Sequence, residues 1–135
     1  MITRRILLGG GAAMLAQAAL THAQAPAGGR TVVFEHDLPA LNTAGWITTA
    51  VEVSYAPGES SGPHRHPGLT IAYVLEGEIR SKVGDGPEQT FTAGQMFLET
   101  PNQLHAVSRN ASTTRPAKLL AVMLSEKGKP LTSPA

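Results

Sequence analysis

The chain has 135 residues, with 11 Lys and Arg against 10 Asp and Glu, and it contains no cysteine. A chain of this length forms one compact domain, and its near-neutral charge excludes the concentrated basic face that nucleic-acid binding requires. The lack of cysteine excludes disulfides and thiolate metal ligands, so any metal ion must be held by histidine and oxygen.

The first 25 residues have the features of an export signal. Arg4 and Arg5 precede an apolar, Gly/Ala-rich stretch from Ile6 to Leu20, which predicts a twin-arginine-like signal peptide over 1–25. The candidate cleavage sites follow Ala23, Ala25 and Ala27. The alternative is an uncleaved N-terminal anchor, although the stretch is shorter than the about 20 residues that span a bilayer. We therefore expect a periplasmic or secreted protein without stable membrane association after signal removal.

Short apolar runs separated by turns follow a flexible linker at 26–30. The chain has fourteen glycines and ten prolines, and those that follow the linker lie mostly between the runs, which favours turns over long helices. The clearest run, Trp46–Tyr55, alternates with the period of two that a half-buried strand requires. The other predicted strands are Thr31–Phe34, Leu69–Leu75, Glu78–Val83, Thr90–Phe91, Met96–Leu98, His105–Val107 and Leu119–Leu124. Seven or eight short strands predict an all-β sandwich or barrel, with residues 126–135 as a loose C-terminal tail.

Three histidines form a candidate metal site. His64 and His66 are two residues apart, so in an extended segment both rings point to the same face. His105 begins another strand-like run, where a barrel would bring its ring opposite that pair. Neutral imidazoles bind transition-metal ions, so these residues are candidate ligands; the alternative is three surface histidines in loops. His36 stands alone and His22 lies in the predicted signal, so we interpret both as incidental.

The residues around this histidine pair resemble the first motif of the cupin family. That motif has Gly, five residues, His-x-His, a short gap, Glu, six residues and Gly. Gly58, His64, His66 and Gly77 occupy its positions. Thr70 stands where the family usually has its ligating Glu.

The second cupin motif has Gly, five residues, Pro-x-Gly, two residues, His, three residues and Asn, and it matches more loosely. The residues at its positions are Gly94, Thr100, Asn102, His105 and Arg109, with Pro101 and Asn110 each displaced by one. The resemblance covers most of residues 31–125, the predicted cupin domain. It implies a cupin-type jelly-roll barrel of two antiparallel sheets around a metal ion, a small-molecule substrate or ligand, and a homodimer.

Thr70 reduces the usual shell of three histidines and one glutamate to three neutral histidines. Glu99 and Gln103 flank the second motif and are candidate oxygen ligands, but we interpret both as exposed loop residues. Strand parity from Thr70 places Ala72 and Val74 in the barrel interior, where small side chains leave room for a ligand.

Three functions fit these features, because fold alone does not specify activity. The first is a dioxygenase that uses Fe(II), which a site of neutral ligands with open positions favours. The second is a lyase, decarboxylase or isomerase, in which a non-redox metal polarises the substrate. The third is an exported binding module without catalysis. Mn, Ni, Zn and Cu are the other candidate ions.

Overall fold

The computed structural model describes residues 30–135, so the predicted signal peptide and all of the predicted linker except Arg30 lie outside the described residues. Within this range the chain contains strands and turns, and it has no helix that could span a membrane. The strands are β1 (Trp46–Tyr55), β2 (Ser60–Ser61), β3 (His64–Arg65), β4 (Leu69–Glu76), β5 (Glu78–Val83), β6 (Gln89–Thr92), β7 (Met96–Glu99), β8 (Leu104–Asn110), β9 (Ala117–Glu126) and β10 (Ser133–Pro134).

The strands form two antiparallel sheets. The four-stranded sheet has the order β1-β9-β4-β7, and the six-stranded sheet has the order β10-β3-β8-β5-β6 with β2 also paired to β8. The core lies between the sheets, since buried Ala72 and Leu119 of the first pack with Ile79 of the second. The all-β fold of two antiparallel sheets predicted from the sequence is confirmed.

The period-two patterns of β1 and β4 determine which side chains face the core. On β1, Val51 and Val53 are partly buried, whereas Ala50 and Glu52, which alternate with them, are exposed. On β4, Thr70, Ala72 and Val74 are each at most 1% exposed, as strand parity predicted. Successive side chains point to opposite faces of a strand, so one inward residue fixes the direction of the rest.

The structure contradicts the predictions at both ends of the domain. Thr31–Phe34 is not a strand, and Val32 and Val33 are 76% and 70% exposed, because β-branched residues form a strand only where a neighbouring strand pairs with them. The segment 126–135 is not loose. Ser133–Pro134 pairs with the free edge of β3, and Leu131 packs against the core, so backbone pairing and apolar burial hold the tail.

The backbone of Gly68 lies so close to the backbone of Leu124 that a side chain at position 68 should destabilise the fold. A Cβ at Gly68 would collide with the carbonyl oxygen of Leu124 and press on Ser125 of β9, whereas a Cβ at Gly62 would meet no described atom within 4 Å. We expect Gly68→Ala to lower the free energy of unfolding by about 2 kcal/mol, as overpacking does, and Gly62→Ala to change it by less than about 0.5 kcal/mol. Urea denaturation of both variants measures this, and equal stabilities would contradict the close approach.

Candidate metal site

The pairing of β3 with β8 brings the three predicted histidines together. His64 lies directly opposite His105 in the antiparallel ladder, and their ring centroids are 5.0 Å apart. His66 follows β3 by one residue, and its ring centroid is 4.9 Å from that of His64. Residues distant in sequence thus converge through one cross-strand pair and one i, i+2 pair.

A β-bulge in β8 aims His105 into the barrel. The pairing of β5 with β8 shifts by one residue between His105 and Val107, so Ala106 is the extra residue. Strict alternation would place His105 and Ser108 on opposite faces, yet His105, Ser108 and Asn110 are all at most 4% exposed. The bulge reverses the parity between them, and the extra residue accounts for Asn110 lying one position late in the second motif.

Hydrogen bonds connect the turn between β7 and β8 to the segment that contains β3 and His66. Asn102 has a φ of 62°, a conformation that asparagine tolerates better than most residues, and it occupies the position of the motif's second glycine. Its backbone N–H donates to the carbonyl of His66 at 2.7 Å, and its own carbonyl accepts from Arg65 at 2.6 Å. These bonds hold the end of β7 and the start of β8 against the His64–His66 segment.

Glu99 joins the histidines, so the prediction that it is an exposed loop residue is wrong. It is the last residue of β7 and is 5% exposed. Its Oε2 lies 2.8 Å from His105 Nδ1 and 3.4 Å from His66 Nε2. Thr70 is the residue directly opposite Glu99 in the ladder between β4 and β7. The carboxylate missing at Thr70 is thus supplied by the neighbouring strand.

Sequence reasoning placed Gln103 correctly, in an exposed loop, but missed Glu99. The sequence did contain a signal: Phe97 and Glu99 are two residues apart in a strand, so both side chains lie on the inward face of β7, which extends to its last residue. The proximity of Glu99 to Thr70 depends on which strands pair, and the sequence does not specify that.

Hydrogen bonds fix the orientation of the first two rings. His64 Nδ1 lies 2.8 Å from the carbonyl of Gly62, and His66 Nδ1 lies 2.8 Å from the carbonyl of Leu131. A carbonyl only accepts, so each Nδ1 carries the proton and each neutral ring keeps a lone pair on Nε2. The two Nε2 atoms are 3.2 Å apart, and two lone pairs at that distance repel unless a cation lies between them.

The third ring leaves a polar atom without a partner. His105 Nε2 lies 2.8 Å from Ser81 Oγ, which can accept the ring proton. With that proton on Nε2, the lone pair of His105 Nδ1 faces the Glu99 carboxylate at 2.8 Å, and this buried nitrogen has no hydrogen-bond partner among residues 30–135. Buried polar atoms are rarely left unsatisfied, so a cation at this point would satisfy both the nitrogen and the carboxylate.

The surroundings of His64 favour the neutral form of its ring. Partial burial lowers the pKa of His64 from its ordinary value, because desolvation disfavours the charged imidazolium. The positive charges that His105 and His66 would carry act in the same direction, while the hydrogen bond to Gly62 opposes them. A neutral imidazole is the form that binds metals.

These residues fit a divalent transition-metal ion. Nitrogen atoms of the three histidines and an oxygen of Glu99 lie within 4.8 Å of one another. Ligands at about 2.1 Å from one ion lie about 3.4 Å apart in a tetrahedron and about 4.2 Å apart when they are trans, so the longest separation must contract by about half an ångström to about 1.4 Å. Imidazole and carboxylate donors suit Fe, Mn, Ni, Cu and Zn.

The cluster opens into a cavity of about 610 Å³ between the two sheets. Most of its apolar lining comes from β1 and β9 and includes Val51, Leu119 and Met123, and the C-terminal segment adds Leu131 and Pro134. Ala72 and Val74, predicted to leave room for a ligand, belong instead to the packed core. The cavity therefore adjoins β1 and β9 and not β4, where the sequence predicted space for a ligand.

Tyr55 contributes a hydroxyl group to this cavity. It ends β1 and is 5% exposed, and its oxygen lies 2.8 Å from Ser61 Oγ and 2.9 Å from Ser108 Oγ. The ring thus connects the four-stranded sheet to hydroxyl groups of the six-stranded sheet. All three side chains line the cavity, and none was identified from the sequence.

Comparisons with known proteins agree with this fold. Residues 51–123, more than half of the chain, match the family model described as a cupin domain. No curated protein matches the sequence. A conserved protein with a double-stranded beta-helix domain from Klebsiella pneumoniae is 24% identical, with a TM-score of 0.53 over 61% of this chain and 70% of its own.

Two further similar structures carry names of enzymes. The DMSP lyase DddQ from Ruegeria pomeroyi is 19% identical, with a TM-score of 0.58 over 65% of this chain and 43% of its own. A predicted oxalate decarboxylase from Thermotoga maritima is 26% identical, with a TM-score of 0.50 over 56% of this chain and 64% of its own. The match thus spans less than two thirds of each of these two chains.

Because Thr70 and Glu99 face each other across paired strands, moving the carboxylate from one position to the other tests whether it is a metal ligand. We expect Glu99→Thr to weaken Co(II) binding by at least about 100-fold, more than the loss of an outer partner costs. We expect the double variant Thr70→Glu/Glu99→Thr to recover affinity to within about 10-fold of the unmodified protein, because it restores a carboxylate from the opposite strand. Competition with a chromophoric chelator measures both affinities. Glu88→Thr, which removes a surface carboxylate, is the matched control, and unchanged affinity in Glu99→Thr would exclude Glu99 as a ligand.

Proposed function

This chain belongs to the cupin family, and we propose that it is a metal-dependent dioxygenase that acts on a small organic molecule. The observation that carries this proposal is the convergence of three histidines and Glu99 at the wall of a cavity with apolar lining. In the proposal, His64, His66, His105 and Glu99 hold the ion. With Glu99 the site is no longer made of neutral ligands alone, which was the sequence feature that favoured Fe(II). Mixed imidazole and carboxylate donors are also found in non-haem Fe(II) oxygenases, so the proposal keeps Fe(II) ahead of Mn, Ni, Zn and Cu.

The ion would supply affinity for dioxygen and for oxygen donors of the substrate, together with redox chemistry. The protein supplies orientation and a shielded space. The carbonyls of Gly62 and Leu131 hold the His64 and His66 rings, and Ser81 holds the His105 ring. Such partners raise the basicity of ligating histidines and fix their direction.

The first test is metal content and oxygen consumption. We expect protein reconstituted with Fe(II) to hold about one iron per chain, and His64→Ala and His105→Ala to lose it, because each removes one of four ligands. His36→Ala removes a histidine outside the cluster and serves as the matched control. Elemental analysis measures the iron. An oxygen electrode, with a panel of small oxygen-bearing organic compounds, measures Fe(II)-dependent uptake.

Full iron content in both ligand variants would contradict the metal site itself. Iron binding without oxygen uptake for any compound of the panel would contradict the dioxygenase and leave the metal site intact. The two outcomes therefore separate the site from the reaction.

The second candidate is a non-redox lyase, decarboxylase or isomerase, and the Tyr55 hydroxyl favours it. Such reactions need a proton-transfer group near the metal, and Tyr55 presents its hydroxyl in the cavity between two serines. The Thermotoga maritima protein of similar fold, described as a predicted oxalate decarboxylase, is consistent with this candidate.

This alternative predicts turnover without oxygen. We expect protein loaded with Zn(II), Ni(II) or Mn(II) to convert a compound of the same panel under anaerobic conditions, and Tyr55→Phe to lower kcat by at least about 100-fold, the usual contribution of a general acid or base. Tyr73→Phe, on the outward face of β4, is the control. Equal kcat in the two variants would exclude Tyr55 from proton transfer. Thermal stabilisation by a compound, without turnover under either condition, would indicate a binding module.

A further inference from the structure

A second cavity, of about 320 Å³, lies at the side of the barrel where the two sheets end in β6 and β7. Its walls come from β5, β6 and β7, from the turn between β5 and β6, and from the irregular segment before β1. No described residue lines both this cavity and the one at the histidines. Small-molecule sites have volumes of about 300–1,000 Å³, so the second cavity is a separate candidate site.

Three phenylalanine rings give the second cavity an aromatic wall. The ring centroids of Phe91 and Phe97 are 4.7 Å apart, and both rings line the cavity together with Phe34. Phe34 is partly buried, although Val32 and Val33 beside it are 76% and 70% exposed. Aromatic rings pack favourably against one another in offset or edge-to-face contacts, so this wall favours an aromatic ligand.

A pair of polar side chains lies on the same cavity. Ser81 and Gln89 are directly opposite each other in the ladder between β5 and β6, so both side chains lie on one face of the sheet, and both line the cavity. Ser81 is 3% exposed, and its Oγ accepts from His105 Nε2 at 2.8 Å, so the hydroxyl keeps its own proton for donation to a ligand. The Gln89 carboxamide offers both donors and an acceptor. An amide group on the ligand would complement this pair.

The charge of the second cavity sets a limit on its ligand. Among the described residues that line it, none is Asp, Glu, Lys or Arg, and His36 is the one that titrates near neutral pH. His36 is exposed, so it lies at the solvent end of the cavity. A charge buried without a partner is costly, and the second cavity therefore favours a neutral ligand.

We propose that the second cavity binds a small, neutral aromatic molecule that carries an amide group. Its ring packs against the three phenylalanine rings, and its amide pairs with Ser81 and Gln89. Because Ser81 also holds the His105 ring, the bound molecule contacts a residue that orients one of the candidate metal ligands. The binding itself uses no atom of the metal cluster, so this inference does not depend on the proposed function.

Calorimetric titration of the protein, without added metal, with three probes tests the ligand class. Benzamide has both the ring and the amide, acetamide lacks the ring, and benzoate has nearly the shape of benzamide but carries a negative charge. We expect benzamide to bind at least about 10-fold more tightly than acetamide, from the added apolar area. In competition with benzamide, we expect benzoate to bind at least about 10-fold more weakly. Competition counts only the benzoate that displaces benzamide.

Two pairs of variants locate the bound benzamide. Phe34→Ala removes one ring of the aromatic wall and Gln89→Leu removes the carboxamide, and each should weaken benzamide binding by at least about 5-fold. Neither residue belongs to the hydrophobic core, so both variants should fold. The controls are Val33→Ala, on an exposed neighbour of Phe34, and Val51→Ala, in the cavity at the histidines. Both controls should keep the affinity within about 2-fold of the unmodified protein.

The outcomes decide the proposal without reference to the metal. No benzamide binding up to its solubility limit, or equal binding of acetamide or benzoate, would overturn it. Unchanged affinity in both Phe34→Ala and Gln89→Leu would also overturn it, because the probe would then lie elsewhere. Weaker binding in Val51→Ala alone would place benzamide at the histidines. The proposed function stands in each of these cases, since its tests use the metal.

Discussion

The antiparallel pairing of β3 with β8 is the constraint on which the site depends. It sets His64 directly opposite His105, and the bulge in β8 keeps His105 inside the barrel along with Ser108. The ladder between β4 and β7 then adds Glu99 from the other sheet, across from Thr70. Pairing between strands thus positions His64, His105 and Glu99, and such positioning is more rigid than that of a loop; His66 lies one residue beyond β3.

The arrangement of protons makes this cluster unfavourable without a cation. The rings of His64 and His66 donate their Nδ1 protons to main-chain carbonyls, so both lone pairs point into the same small space. Glu99 brings a carboxylate that is 5% exposed to the same rings, and a buried carboxylate needs a compensating partner. A divalent ion would offset both effects, which connects the stability of this part of the barrel to its proposed function.

The two sheets contribute different kinds of side chain to the cavity. The six-stranded sheet carries His64 and His105, with His66 one residue beyond β3, and β1 and β9 of the four-stranded sheet offer an apolar surface. The C-terminal segment completes the enclosure, because Leu131 both packs against the core and accepts the hydrogen bond from His66. One short segment therefore contributes to the fold, to the orientation of the His66 ring and to the shape of the cavity.

The sequence by itself determined the strands with clear period-two alternation, such as β1, and the common face of His64 and His66, because these features depend only on neighbours along the chain. It also determined the inward parity of Ala72 and Val74. Tertiary structure alone decided the rest. Glu99 joins the site through its pairing opposite Thr70, Thr31–Phe34 is irregular, and residues 133–134 form a strand on the edge of β3. Strand pairing, bulges and the burial of a charge arise between segments far apart in sequence, so no local pattern encodes them.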